Sequence, residues 1–307
     1  MDFFNKGTYL AIMSDILPMV IQYKLLLVLT WLCTVVGLEF LYPLIIAPKN
    51  WLRVLKNCSF WFLNSIISIG IILPCSIWAS QNTWGWRPTN IEPIVAIIIN
   101  IILLDFLIYW WHRANHEMPF FWRFHKIHHL DEFLDVTTAL RFHFGEVLLS
   151  TFFRAIIIII FDISWMSIIC FEILILFSSA FHHSNIRIPE FLDKIVSKFF
   201  VTPSIHGIHH HAIDRDTNSN YPTIFSVWDR IFATRNLLKL TPVNTIGIEG
   251  EKDQSLIQLL IRPFFSSPNQ FSLLELLNKF GSTSNSLGSN RAPRCMSIKE
   301  TLTSMPC

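Results

Sequence analysis

Charge is in short supply. Asp, Glu, Lys and Arg make up only 15% of the 307 residues, against about 25% in a typical soluble domain. With a formal net charge of +2 and no basic stripe, the chain gives nucleic acid nothing to bind. Glycine is scarce too, at ten residues, and neither G-x-G-x-x-G nor G-x-x-x-x-G-K-[ST] occurs, so no nucleotide or flavin site of its own is expected. Cysteines stand at 33, 58, 75, 170, 295 and 307 without a C-x-x-C pair and read as small apolar side chains, not as a disulfide framework. Met1 to Pro18 lacks the basic stretch, apolar core and small-residue cleavage site of a signal peptide, and none is expected. Histidine is absent from residues 1–111 and 212–307.

What the chain has in quantity is apolar sequence, 52% of its residues, with a mean hydropathy of +0.45. The long runs are Leu25–Ile46, Cys58–Ala79 and Pro93–Trp111, followed by two shorter ones, Val147–Phe161 and Ile163–Phe181, hinged at Asp162. At 1.5 Å per residue, roughly 20 residues cross a bilayer core of about 30 Å. The expected fold is therefore an all-α integral membrane protein with four to five membrane helices. Residues 147–181 either span twice or enter and return as a hairpin. Lys and Arg are frequent in 47–57, 112–146 and after 181, and sparse in 80–92 and at 162. By the positive-inside rule, the frequent set lies in the cytoplasm. The expected division is membrane helices over 1–111, a histidine-rich catalytic region over 112–250 that includes the membrane hairpin at 147–181 and a cytoplasmic helical cap over 182–250, a short amphipathic helix region over 251–280, and a disordered tail over 281–307.

All twelve histidines fall between His112 and His211. They come as H-x-x-x-H (His112, His116), H-x-x-H-H (His125, His128, His129), His143, His182-His183, and a second H-x-x-H-H (His206, His209, His210) with His211 beside it. Imidazole is the commonest side-chain metal ligand, and spacings of three and four put pairs on one helix face. His182 and His211 read as ordinary polar residues. The other ten exceed one tetrahedral or octahedral site, so two metals are expected. Imidazole alone does not choose among Zn, Cu, Fe and Ni. Asp105, Tyr109, His112 and His116 share a face if the third apolar helix continues to His116, and Asp105 is a candidate to accept the second N–H of a metal-bound imidazole. Pro119 then breaks the helix. Arg154 and Glu172 lie 8 and 10 residues from the hinge at Asp162, and antiparallel helices would pair them as buried ions.

These residues resemble the fatty acid hydroxylase superfamily, in its sterol desaturase-like branch. The likeness runs from Asp105 to Arg235. It includes the first H-x-x-x-H, then W-R-x-H-x-x-H-H from Trp122 to His129, and Asp135, Thr138 and the R-x-H of Arg141 and His143. It continues through H-S-N at His183, the second H-x-x-H-H, and N-Y at Asn220 with W-D-R-x-F from Trp228 to Phe232. It departs at His182, His211, Pro222 and Ala233, the last two standing where the family usually has glycine. The resemblance implies a membrane non-haem di-iron oxygenase that uses O₂ and two electrons to hydroxylate or desaturate a lipid. The ligands it implies are His112, His116, His125, His128, His129, His143, His183, His206, His209 and His210. Asp105, Tyr109 and Asp229 are the candidates to support them from behind. The implied cofactor is a pair of iron ions (Fe²⁺/Fe³⁺), with zinc as a substitute. A separate electron donor, ferredoxin-like or cytochrome b5-like, is implied as well, because no H-P-G-G motif is present. The membrane would be the inner one of a bacterium or the endoplasmic reticulum of a eukaryote. Sterol, carotenoid, fatty acyl and alkylglycerol substrates all stay open, as does hydroxylation against desaturation. The competing reading is a membrane metal transporter or metal-binding protein, which would place carboxylate ligands at mid-membrane in several helices.

Overall fold

The computed structural model describes residues 6–88 and 91–265, with side chains from residue 22 onward. Residues 1–263 form one compact unit. Among the described residues the secondary structure is entirely helical, and no strand occurs. The expected region 251–280 is described only to residue 265, and the tail expected over 281–307 lies outside the described residues.

Helix α1 (Lys6–Leu41) is followed by α2 (Trp51–Ile67), which passes through a widened turn at Ser68–Ile72 into α3 (Leu73–Gln81). Pro74 explains the widening: it offers no N–H to the carbonyl four residues back, and its ring needs room. Helix α4 (Pro93–Glu117) and helix α5 (Pro119–His129) both begin on proline, whose missing N–H costs nothing at a helix start. Pro119 thus separates the two helices that carry the first histidines. Helix α6 (Phe144–Phe161) ends on Asp162 at φ 54°, and α7 (Trp165–His182) starts under a Ser164 cap that accepts from Ser167 N. Shorter helices follow: α8 (Glu190–Val196), α9 (Pro203–His209), α10 (Asp214–Thr217), α11 (Val227–Ile231) and α12 (Leu256–Ile261).

Among the described residues, five spans are long and apolar enough to cross a membrane: Gln22–Leu41, Trp51–Gln81, Pro93–Glu117, Phe144–Phe161 and Trp165–His182. These make the chain an integral membrane protein. The two runs hinged at Asp162 are separate 18-residue helices, each about 27 Å long. Their apolar neighbours are mostly outside: Leu25, Leu26, Phe62, Ile69, Ile98 and Ile156 are all exposed, as lipid-facing side chains should be. Inside, Leu104, Ile108, Ala155, Ile158, Ile168 and Phe171 form the shared core of α4, α6 and α7.

The bundle has two distinct ends. At one, Trp84 N and the Trp86 indole donate to the carbonyls of Ile159 and Ile160. At the other, Leu44 N donates to Asn185 O and Arg187 N to Tyr42 O. Here Arg53 at the start of α2 reaches Asp131 (Nε to Oδ1, 2.5 Å) and Asp135 (Nη1 to Oδ2, 2.7 Å), and also donates to Phe133 O and Thr138. Arg141 is fully buried and donates to Asp253, Asn57 and the carbonyl of Ile127. These charges are paired and hydrogen-bonded, the condition under which buried ions are tolerated. They fix the segment between α5 and α6, and every histidine belongs to this same end.

Arg154 and Glu172 do meet across α6 and α7, with Nη1 to Oε1 at 3.8 Å. The pairing is looser than the burial expected: Lys24 shares Glu172 at 3.5 Å, and the Arg154 and Glu172 side chains are 20% and 32% exposed.

Candidate metal centre

Four segments bring the histidines together. The run of α4 to Glu117 carries His112 and His116 on one face. Helix α5 is short and one-sided, burying His125, His128 and His129. The chain leaving α7 contributes His183. Helix α9, begun by Pro203, contributes His206 and His209, with His210 directly after it.

The result is two groups. One holds His112, His116, His125, His129 and His209, the other His128, His183, His206 and His210, and within each the offered nitrogens lie within 4.8 Å of one another. In the second group the Nε2 atoms nearly touch: His183 to His128 is 3.0 Å, His206 to His183 is 3.0 Å and His210 to His206 is 3.2 Å. In the first, His112 Nε2 is 3.1 Å from His125 Nε2. Two ligands of one ion, each about 2.1 Å from it, stand roughly 3.0–3.4 Å apart, so these spacings suit a common ion.

The rear nitrogens are held by other partners. Nδ1 of His112 faces Tyr221 O (2.6 Å), that of His183 faces Ser179 O (2.8 Å), and that of His209 faces Ser219 O (2.7 Å). His125 Nδ1 meets the Glu146 carboxylate at 2.8 Å, and His128 Nδ1 meets Arg141 O at 3.2 Å. A carbonyl or carboxylate accepts only from N–H, so these contacts put the proton on Nδ1 and turn the Nε2 lone pair inward. Both nitrogens of His116 and of His129, and Nε2 of His209, are buried without a hydrogen bond. Buried polar atoms are rarely left so, and a metal ion would satisfy one nitrogen of each ring. An all-imidazole donor set with free inward lone pairs fits transition-metal ions.

Electrostatics agree. Burial, then the neighbouring histidines, hold His128, His129, His206 and His210 well below the usual imidazole value. Burial brings His183 to about 4 and His209 to about 3. These six rings are therefore neutral at ordinary pH, the form that binds metal.

His143 stands apart from both groups. It caps α6: its Nδ1 accepts from Gly145 N at 2.9 Å, and its Nε2 faces Leu260 O at 3.0 Å, so neither nitrogen is turned to the others. Asp105 touches no histidine. It accepts from Ile224 N, Phe225 N and the Trp228 indole, because α4 packs against the loop of the 220s at this depth. Tyr109 OH bonds Thr234. Asp229, whose carboxyl burial lifts to about 6, accepts from Tyr221 N and Thr234. It therefore steadies the residue whose carbonyl holds His112, one step behind the imidazole. Sequence reasoning missed Glu146, which lies 21 residues from His125 and is recognisable only once α6 is seen to start beside α5. His182 packs its ring 4.0 Å from that of His206, and His211 pairs with Asp216 at 2.8 Å.

A cavity of about 340 Å³ opens onto both groups. His112, His125, His128, His183 and His206 form its floor, and Ile108, Trp111, Val147, Ile175 and Leu176 from α4, α6 and α7 form its walls. Its walls are thus the membrane helices themselves.

Residues 97–234 match the profile of the fatty acid hydroxylase family. Among curated proteins, the chain is similar to an ornithine lipid hydroxylase of Rhizobium tropici, with 25% identity over 55% of this chain and 50% of that protein. It is similar to an alkylglycerol monooxygenase of Xenopus tropicalis, with 32% identity over 57% and 40%, and to a cholesterol 25-hydroxylase of Mus musculus, with 25% over 48% and 49%. The chain thus spans half or less of the length of these relatives. No solved structure matches it.

Proposed function

We propose that this chain, which belongs to the fatty acid hydroxylase superfamily, is a membrane-bound oxygenase that uses O₂ and two electrons to hydroxylate or desaturate a lipid at a pair of non-haem iron ions. One observation carries the reading: two adjacent all-histidine groups with inward lone pairs form the floor of a cavity walled by membrane helices. The relatives named above, all lipid hydroxylases or monooxygenases, support it.

His112, His116, His125, His129 and His209 would hold one ion, and His128, His183, His206 and His210 the other. His143 drops out of the ligand set. Iron bound there would supply the oxygen-activating redox chemistry that an unactivated C–H bond requires. The chain does the rest. The carbonyls of Tyr221, Ser219, Ser179 and Arg141 and the Glu146 carboxylate lock the imidazole tautomers. The apolar walls admit a lipid chain from the bilayer and exclude water.

The histidine end would face the cytoplasm, since Lys49, Arg53, Lys56, Arg113, Arg123 and Lys126 gather there while Arg87 stands at the other. Electrons would arrive there from a separate carrier. The division between a membrane part over 1–111 and a catalytic region over 112–250 would be one of role, since α4 runs through it.

The test is metal content. Full chain purified in detergent without added metal should contain two irons, both lost when His128→Ala and His209→Ala are combined, and should oxidise a lipid extract with a supplied donor. Zinc in the same ratio would leave the cage standing and the redox role undecided until iron is restored. Absence of tightly bound metal, with metal flux in reconstituted vesicles, would replace the enzyme by a transporter.

A further inference from the structure

One charged side chain of the cavity has no part in the metal groups. Arg154 lines the same cavity as the histidines. On α6, Glu146, Ser150 and Arg154 follow at steps of four, so they form one stripe along the cavity wall. Glu146 touches His125, and Arg154 stands eight residues on, about 12 Å deeper along the helix. The stripe thus runs from the histidines to a cation well inside the membrane.

That cation is poorly satisfied. Arg154 makes no hydrogen bond among the described residues, and its Nε is buried without a partner. Its contact with Glu172 is 3.8 Å, an ion-pair distance and no hydrogen bond. Glu172 is shared with Lys24 at 3.5 Å. Two cations on one anion leave this intramembrane cluster with an excess of one positive charge. Ionisable residues inside a membrane are costly unless paired, and they mark the path of a charged substrate group. A guanidinium with a free edge is shaped to take a carboxylate or phosphate by two parallel N–H donations.

Resting on the oxygenase reading, we propose that Arg154 binds the anionic group of an acyl lipid, a carboxylate or a phosphate monoester. Its apolar chain then lies along the cavity toward the histidines. Arg154 is the ruler: the carbons presented to the metal groups are those about 12 Å from the anion.

The experiment is equilibrium binding to the full chain in neutral detergent, at a pH where the acids are ionised. The probes are hexadecanoate, palmitoyl lysophosphatidate, and the neutral methyl hexadecanoate and hexadecanol. The unaltered protein should prefer at least one anion over its neutral counterpart. Which anion is preferred separates a free fatty acid from a phospholipid source. Arg154→Gln should weaken the anion by about tenfold to a hundredfold and leave the ester nearly unchanged, and Arg154→Lys should fall between. Glu172→Gln, which removes the competing carboxylate, should tighten the anion. Absence of anion preference in the unaltered protein, or a preference that survives Arg154→Gln, would overturn the assignment. If Arg154→Gln does not fold, Glu172→Gln decides: tighter anion binding supports the ruler and unchanged binding refutes it. Metal content of the same preparations separates the two readings. Two irons without anion preference would sink the ruler alone, and anion preference without metal would sink the oxygenase alone.

Discussion

The two H-x-x-H-H motifs look interchangeable in sequence, yet the fold uses them in opposite senses. From the first, His125 and His129 go to the group of five and His128 to the group of four. From the second, His206 and His210 go to the group of four and His209 to the group of five. Each motif sits on or at the end of a short helix, α5 of about three turns or α9 of about two, so that residues spaced by four share a face while the one between points to the neighbouring group. The groups differ in what completes them. Helix α4 supplies two histidines four apart, His112 and His116. The residue that caps α7 is His183, and the position four before it is Ser179, which lines the cavity. The group of four is therefore the more open toward the cavity.

That contrast can be broken outright. His116→Ala should empty the group of five and His128→Ala the group of four, each lowering metal content by one ion and oxidation of lipid to background. Loss of both ions in either variant would mean the groups form one inseparable site. A smaller effect is expected behind the ligands. Glu146→Gln keeps the shape of the side chain but not its charge, and should cost roughly 10–100-fold in metal retention or activity. Spectroscopy of a cobalt-loaded sample should assign the change to the group of five alone. Ser179→His tests the open position: it should slow removal of the second ion by a chelator and narrow the cavity, and unchanged chelation kinetics would refute the asymmetry.

Proton linkage gives a broader and weaker effect. The folded values of His183 and His209, about 4 and 3, lie below the unfolded value near 6.5. Over that window the unfolded chain binds more protons. The stability of the metal-free protein is therefore full above about pH 6.5 and declines as pH falls through the window. Its thermal midpoint should be lower near pH 5 than near pH 7.5, and a flat profile would contradict the burial of these rings.

The smallest effect concerns the backbone. Ala233 sits at φ 54°, a left-handed conformation that costs a residue with a Cβ about 1–2 kcal/mol. The family's usual glycine at this position has a physical reason here. Ala233→Gly should raise stability by about 1 kcal/mol in a denaturant melt.

Much of this was legible in one dimension. The apolar runs mark the spans because length and composition set them locally. Pro119 marks the break between α4 and α5, and counting outward from Asp162 brought Arg154 to Glu172. The histidines announced themselves through number and spacing. What stayed hidden were the partners that depend on long-range approach. A shared face with His112 places Asp105 behind an imidazole, but its carboxylate is taken by backbone N–H groups more than a hundred residues away. His143 joins the ligands through the resemblance, by the R-x-H of Arg141 and His143, and the fold shows it serving as a helix cap. Glu146 carries no signal in the sequence, because a lone glutamate at a helix start has no spacing to mark it.

The reciprocal sharing of the two motifs has a consequence for biogenesis. Neither group is complete before the second motif has been translated, since one needs His209 and the other needs His206 and His210. A nascent chain halted ahead of residue 206 therefore holds partial rings of imidazole on both sides and closes neither. Metal loading at these groups would in this way be tied to a late moment, after the five described spans have been made, when residues 206–210 deliver the last histidines of both.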